Sequence, residues 1–317
     1  MKIFDTQTTR DALPFDQLID AIRRMFVAGC EVPLRHSHTI QLPGGASGTT
    51  LLMPAWRSDG YYGVKTVNIF PGNAALGLPG LHSTYLLYDS ATGRPLAQID
   101  GNEITSRRTV AASALAASFL ARPDARTLLV VGTGRVARLV AEAYRAVLPI
   151  EKVWVWGRQH EQAVALAAQL NQQLKEQGVQ CEAAPDLAAA VRRADVVSCA
   201  TLATSPLIQG GWLHEGSHLD LIGGFTPSMR EADDACFAGA SLFVDTGEAL
   251  LKSGDLLGPI SRGVFAAGDV RADLAQLCRK SAPGRQSAAE RTVFKSVGTA
   301  LEDLAAASLV YQPASAS

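Results

Sequence analysis

The sequence predicts an α/β protein, with a doubly wound parallel sheet in the middle of the chain and an α+β region made from the N-terminal part and a C-terminal helix. Short apolar runs alternate with alanine-rich amphipathic stretches over residues 126–283. A glycine-rich turn, Gly132-Thr133-Gly134-Arg135-Val136-Ala137, follows the first apolar run and opens the first amphipathic stretch. The flanking regions instead mix short strands, Gly/Pro turns and Ala/Leu-rich helix. Apolar strands alternating with helices are buried on both faces, which is the pattern of a parallel sheet.

In the N-terminal region, residues 42–48 and 77–80 read as turns. Residues 105–121, rich in Ala and Leu, read as a helix that Pro123 stops. In the middle region the expected strands are residues 128–131, 153–156, 196–199 and 218–222. The expected helices are residues 136–147, 161–177 and 187–193. Residues 286–311 read as a single helix followed by a disordered tail, 313–317. The expected domains are therefore 1–124 with 286–317, and 125–285.

Composition narrows the function. A chain of 317 residues, 47% hydrophobic and 19% charged, has ample core for two domains and is not disordered. With 29 Lys+Arg against 30 Asp+Glu and no basic stripe carrying aromatics, nucleic acid is not an expected partner. The most apolar runs are strand-length, far short of the roughly 20 residues that cross a bilayer. The first eleven residues lack the apolar run of a signal peptide. A cytoplasmic protein with no membrane partner is expected. Cys30, Cys181, Cys199, Cys236 and Cys278 form no C-x-x-C pair, and the six histidines show no metal-ligand spacing, so neither a metal site nor a disulfide framework is expected.

The glycine-rich turn is where chemistry enters. At a strand-to-helix junction Gly132 makes the tight turn, Gly134 lets a pyrophosphate approach the backbone, and Ala137 lets helix and strand pack. The helix N-terminus offers N–H groups and a positive dipole end to the diphosphate. Thr133, Arg135 and Val136 complete this dinucleotide-binding turn of a Rossmann domain. An NAD enzyme usually ends its second strand in an acid, ~20 residues past the glycines. Here the strand ends in Gly157-Arg158, and an arginine there can pair with a 2′-phosphate. NADPH is the expected cofactor, with NADH possible. Thr201 is counted with the cofactor-binding residues.

Three further motifs carry a resemblance. Residues 63–73 contain Lys65-Thr66-Val67-Asn68 and Pro71-Gly72-Asn73; residues 105–117 contain Arg108-Thr109-Val110-Ala111-Ala112-Ser113-Ala114; and the tail contains Phe294-Lys295-Ser296-Val297-Gly298. In this order, and over almost the whole chain, they resemble the ornithine cyclodeaminase/mu-crystallin family. The resemblance implies a homodimer whose N-terminal region and tail form a substrate and dimerisation domain, with substrate held against the nicotinamide. It places the carboxylate-binding cations on Arg35, Lys65 and Arg108, and has Ser296, Val297 and Gly298 border the nicotinamide.

Two departures from the cyclodeaminases matter. Their amine-binding aspartate falls on Phe225, and a threonine of theirs falls on Gly80; both positions are expected to line the substrate site. The segment from Gly224 to Asp233 resembles bacterial reductases of Δ1-pyrroline-2-carboxylate and Δ1-piperideine-2-carboxylate. The expected activity is therefore NADPH-dependent reduction of a small cyclic imino acid, with Lys65, His82 or water giving the proton to nitrogen. A cyclodeaminase would need the missing carboxylate. A mu-crystallin-like protein would hold NADPH and a ligand without rapid turnover.

Overall fold

The computed structural model describes residues 1–42, 45 and 47–312, the side chain of Ala74 excepted. The chain forms two compact units, Met1–Arg108 with Thr299–Ser317, and Thr109–Gly298. Among the described residues no helix is long and apolar enough to cross a membrane.

The first unit opens with β1 (Lys2–Phe4), α1 (Thr6–Asp11) and α2 (Phe15–Ala28), and continues with β2 (His36–Gln41), β3 (Ser47–Trp56), β4 (Tyr61–Ile69), β5 (Leu81–Asp89) and β6 (Pro95–Asp100). The six strands form one sheet in the order β1-β6-β5-β4-β3-β2, antiparallel except where β1 joins β6. Helix α2 buries Phe15, Leu18, Ile19, Ile22 and Phe26 at helical spacing, and Gly29 ends it at φ 79°. The last helix, Ala300–Tyr311, packs on α2, β3 and β4. Strand alternation decides which side chains this layer buries. Gly63, Lys65 and Val67 of β4, and Ser83, Tyr85 and Leu87 of β5, point to one face. Gly63 must lack a side chain, because a Cβ there would sit 2.1 Å from the Tyr85 hydroxyl. The hairpin expected at 42–48 joins β2 to β3, with Gln41 opposite Ser47; its Pro43, Gly44 and Ala46 lie outside the described residues, as does the tail 313–317.

Helix α3 (Gly101–Leu120) begins four residues before the expected start, and the unit boundary falls within it. The second unit then follows the alternation read from sequence: β7 (Thr127–Val131), α4 (Ala137–Arg145), β8 (Lys152–Trp156), α5 (His160–Gln173), β9 (Gln180–Ala183), α6 (Leu187–Val191), β10 (Val196–Cys199) and β11 (His218–Leu221). Beyond these come β12 (Ser241–Val244), α7 (Ala249–Lys252), α8 (Gly254–Ser261), β13 (Val270–Asp273), α9 (Leu274–Cys278) and β14 (Thr292–Lys295); the last helix of the chain is α10. All eight strands are parallel, in the order β13-β12-β14-β11-β10-β7-β8-β9. The order reverses beside β7, and the crevice for a ligand in such a sheet opens there, at the carboxyl ends of β7 and β10.

The single helix expected over 286–311 is a correction. Thr292-Val293-Phe294-Lys295, a β-branched and aromatic run, is a fully buried strand between β11 and β12. Gly298 then turns the chain at φ 75°, and the Thr299 side chain caps α10 by accepting from the Leu301 N–H. The run is too short to show a period of its own, and the alanine-rich stretch behind it hides the break.

Candidate functional site

Two of the three cations assigned from motifs, Lys65 and Arg108, meet in the first unit. Lys65 lies mid-strand on the inner face of β4, 1% exposed, and Arg108 stands on α3, also buried. Both are held by α10. Asp303 Oδ1 accepts from Lys65 Nζ at 2.8 Å and from Arg108 Nε at 2.9 Å, and Asp303 Oδ2 lies 2.7 Å from the same ammonium. Glu302 accepts from Arg108 Nη1 at 2.7 Å. Burial pulls the Lys65 ammonium down to about 8 against the pull of Asp303, with Arg108 and Arg35 adding repulsion. Arg35, in the segment before β2, is thus within electrostatic reach of Lys65. Burial raises Asp303, but Lys65 and Arg108 outweigh it and hold it below the usual carboxylate range. This is an ionised buried cluster, and removing one partner would leave a charge uncompensated.

His82 is not part of it. Lys65 pairs with Tyr85 across β4 and β5, so both face inward; His82, three residues before Tyr85, pairs with Asn68 and projects from the opposite, exposed face. His82, named from sequence as one of three sources of the nitrogen's proton, therefore lies on the other face of the sheet from Lys65. Gly80 closes the loop before β5, where its carbonyl accepts from the Phe70 N–H at 2.8 Å.

In the second unit the glycine-rich turn has the geometry its spacing requires. Gly132 follows β7 at φ 125°, and a Cβ there would lie 2.6 Å from the Ala200 carbonyl oxygen. Around Gly134 a Cβ would meet nothing within 4 Å, so the space a diphosphate needs is open. Arg135 is exposed, Val136 precedes α4 in helical backbone, and Ala137 is fully buried at its start. At the end of β8 a Cβ on Gly157 would strike the Thr133 methyl at 2.7 Å, while Thr133 Oγ1 donates to Gln162 at 2.9 Å. Arg158 is exposed beyond it. These residues fit a dinucleotide. Among the described residues no group of three or more His, Cys, Asp or Glu could hold a metal ion.

The loops after β10 and β11 are fixed by a residue that sequence reasoning passed over. Glu231 is buried; its Oε1 accepts from the Thr201 N–H (2.7 Å) and hydroxyl (2.8 Å), and its Oε2 accepts from the Gly223 N–H (2.7 Å). Burial raises its carboxyl to about 7, with Lys295 opposing. Phe225, two residues past Gly223, is 45% exposed. Asp245, also buried, accepts from the Val297 N–H at 2.7 Å and the Gly298 N–H at 2.6 Å, while Ser296 bonds back to Leu221 at 3.3 Å. The sequence signal for Asp245 was an acid directly after the apolar run 242–244, and for Asp303 two acids in an otherwise apolar helix; Glu231, between Arg230 and Ala232, carried no such signal.

Comparison with known proteins agrees with both halves. The model of the ornithine cyclodeaminase/mu-crystallin family matches residues 12–317. A Δ1-pyrroline-2-carboxylate reductase of Paracoccus denitrificans is 44% identical over 302 residues, 92% of this chain and 94% of the relative. The solved Δ1-pyrroline-2-carboxylate reductase of Thermococcus litoralis, in complex with NADH and L-proline, superimposes with a TM-score of 0.89 at 32% identity, covering 98% of this chain and 96% of that one. An archaeal alanine dehydrogenase dimer with bound NAD gives 0.87 at 29% identity, covering 98% and 95%. The chain belongs to the ornithine cyclodeaminase/mu-crystallin family.

Proposed function

We propose that the protein reduces Δ1-pyrroline-2-carboxylate to proline with NADPH, accepts Δ1-piperideine-2-carboxylate to give pipecolate, and works as a homodimer. The reaction class is that of an NAD(P)H-dependent imine reductase, an oxidoreductase acting on C=N. The observation that carries the substrate assignment is the pair of buried cations, Lys65 and Arg108, with Arg35 in electrostatic reach, in a chain whose Phe225 replaces an amine-binding carboxylate.

Lys65, Arg108 and Arg35 are proposed to hold the substrate carboxylate, a planar anion that guanidinium groups match. Fixing that carboxylate orients the imine carbon and replaces a chance encounter by a bound geometry. Bound NADPH would supply the hydride. Residues 132–137, Gly157, Arg158, Thr201 and 296–298 are proposed to hold the cofactor. Of the two side chains named as donors of the nitrogen's proton, Lys65 is preferred because His82 faces away from the cations.

The testing experiment is a panel of both cyclic imino acids and ornithine, with NADPH and NADH, following cofactor oxidation and ammonia release. Stoichiometric NADPH consumption with the cyclic imines supports the reading. Binding without turnover would replace it with a ligand-binding role. Arg158→Ala is expected to raise the KM for NADPH about tenfold and leave that for NADH nearly unchanged, since only the 2′-phosphate loses a partner. Equal losses would remove Arg158 from that role.

The partner copy is proposed to cover the face of the first unit's sheet opposite α2 and α10. Trp56 meets Tyr62 edge-on there, and Tyr62 stacks on Tyr88 with ring centres 5.1 Å apart. Light scattering on wild type and Tyr62→Glu tests this, with dimer and monomer the expected results.

A further inference from the structure

We infer that Asp303 is a positioning residue of the reaction: it holds the Lys65 ammonium and the Arg108 guanidinium against one another and keeps both charges in the place where a substrate carboxylate would meet them. This rests on the imine reductase reading and names a residue that reading does not require.

One oxygen, Oδ1, accepts from both cations, so Lys65 Nζ and Arg108 Nε stand within about 6 Å of each other whatever else changes. Two buried cations that close repel. An arginine keeps its proton under such repulsion, whereas a buried lysine loses it readily. Asp303 is the counter-charge that opposes this. Its own placement is fixed by the fold. Residue 303 is in the first turn of α10, behind the Thr299 cap, where a negative charge is favoured by the helix dipole, and its side chain is 0% exposed. Glu302 beside it takes the Nη1 of Arg108, so the guanidinium is oriented from two adjacent residues of one helix. The charged and titratable groups facing Lys65 and its partner are Asp303 and Glu302 on α10, Arg108 on α3, Arg35 before β2, and Tyr85 on β5, whose hydroxyl burial keeps protonated. Asp303 bonds to both cations.

A purely structural ion cluster would make the same contacts, so the test needs readouts that stability does not move. The full chain is assayed with NADPH and Δ1-pyrroline-2-carboxylate across pH. Wild type that fails to turn over overturns the imine reductase reading itself, and Asp303 is judged only against an active wild type. In active wild type the alkaline limb of kcat/KM is expected near the Lys65 value, about 8. A limb above pH 10 overturns the proposal without any variant.

Asp303→Asn keeps the shape and removes the charge. Its kcat, corrected for the folded fraction, is expected to fall at least about tenfold, and its alkaline limb to move about one pH unit towards neutrality. Asp303→Glu restores the charge from one methylene further out, so the limb should return to the wild-type position while kcat stays reduced. Wild-type kcat and limb in folded Asp303→Asn overturn the proposal. If that variant does not fold, Asp303→Glu decides: wild-type kcat overturns the proposal, and a reduced kcat on a wild-type limb supports it.

Discussion

Ornithine supplied with NAD is expected to be turned over more than about a thousandfold more slowly than Δ1-pyrroline-2-carboxylate with NADPH. Cyclodeamination requires an amine to be bound, oriented and relieved of charge, and a carboxylate after the fifth strand of the Rossmann sheet, β11 here, is the device the resemblance assigns to that step. Here the position is Phe225, directly after two anchored residues: the Gly223 N–H donates to Glu231, and the Ser253 hydroxyl donates to the Gly224 carbonyl. Those anchors leave the loop little freedom to bring another acid into place. An aromatic ring offers only a packing surface, which suits a flat preformed ring and leaves an ammonium without a partner. An unpaired charge in a desolvated site costs several kcal/mol, and about 4 kcal/mol is the thousandfold predicted. The measurement is proline and ammonia formation from ornithine by wild type and Phe225→Asp. Wild-type turnover comparable with that on the cyclic imine would sink the reductase reading; an inactive wild type, with a trace gained by Phe225→Asp, supports it.

The second large effect separates two glycines of one turn. Gly132→Ala puts an L side chain at φ 125° and a Cβ 2.6 Å from the Ala200 carbonyl oxygen, so backbone must move. A destabilisation of roughly 2–4 kcal/mol is expected, which lowers the Tm by roughly 5–15 °C. Gly134→Ala adds its methyl to open space and should leave the Tm within about two degrees of wild type. The same methyl lies where the diphosphate would approach, so NADPH affinity, read by fluorescence, should drop at least about tenfold. If Gly134→Ala binds NADPH as tightly as wild type, the diphosphate does not pass over Gly134.

What could be read from sequence follows from burial. Strands β7, β8, β10 and β11 are covered on both faces and announce themselves as apolar runs, and the expected boundaries fall within a residue of those observed. Edge strands carry weaker signals. Gln180–Ala183 and Val270–Asp273 each carry two polar or charged residues among their four, and nothing distinguishes them from loop. Strand β14 was legible as the motif Phe294-Lys295-Ser296 but not as a strand. Lys65 and Arg108 stood out because each is a charge in an apolar setting. Their counter-ions did not, because two adjacent acids in an alanine-rich stretch do not by themselves show that the helix around them is buried. Yet α10 is buried on nearly every side, so its acids had to be paired. For His82 a motif places the residue in a strand, but only register tells which face it takes.

Strand β14 has a consequence for the order in which the protein can be built. It fills the gap between β11 and β12 and is hydrogen-bonded to both, although it lies more than forty residues beyond the second of them in the chain. A ribosome that has released residue 280 has therefore made two parallel strands with no neighbour to join them. It has also made a first sheet without the helix that covers Met53, Lys65 and Tyr85 and neutralises its buried cations. Pairings this distant are slow, because the intervening chain must lose its freedom before any contact rewards it. The second unit thus completes its sheet only after β14 has emerged and the first only after α10 has, and until then the newborn chain exposes apolar strand edges that a chaperone would have reason to hold.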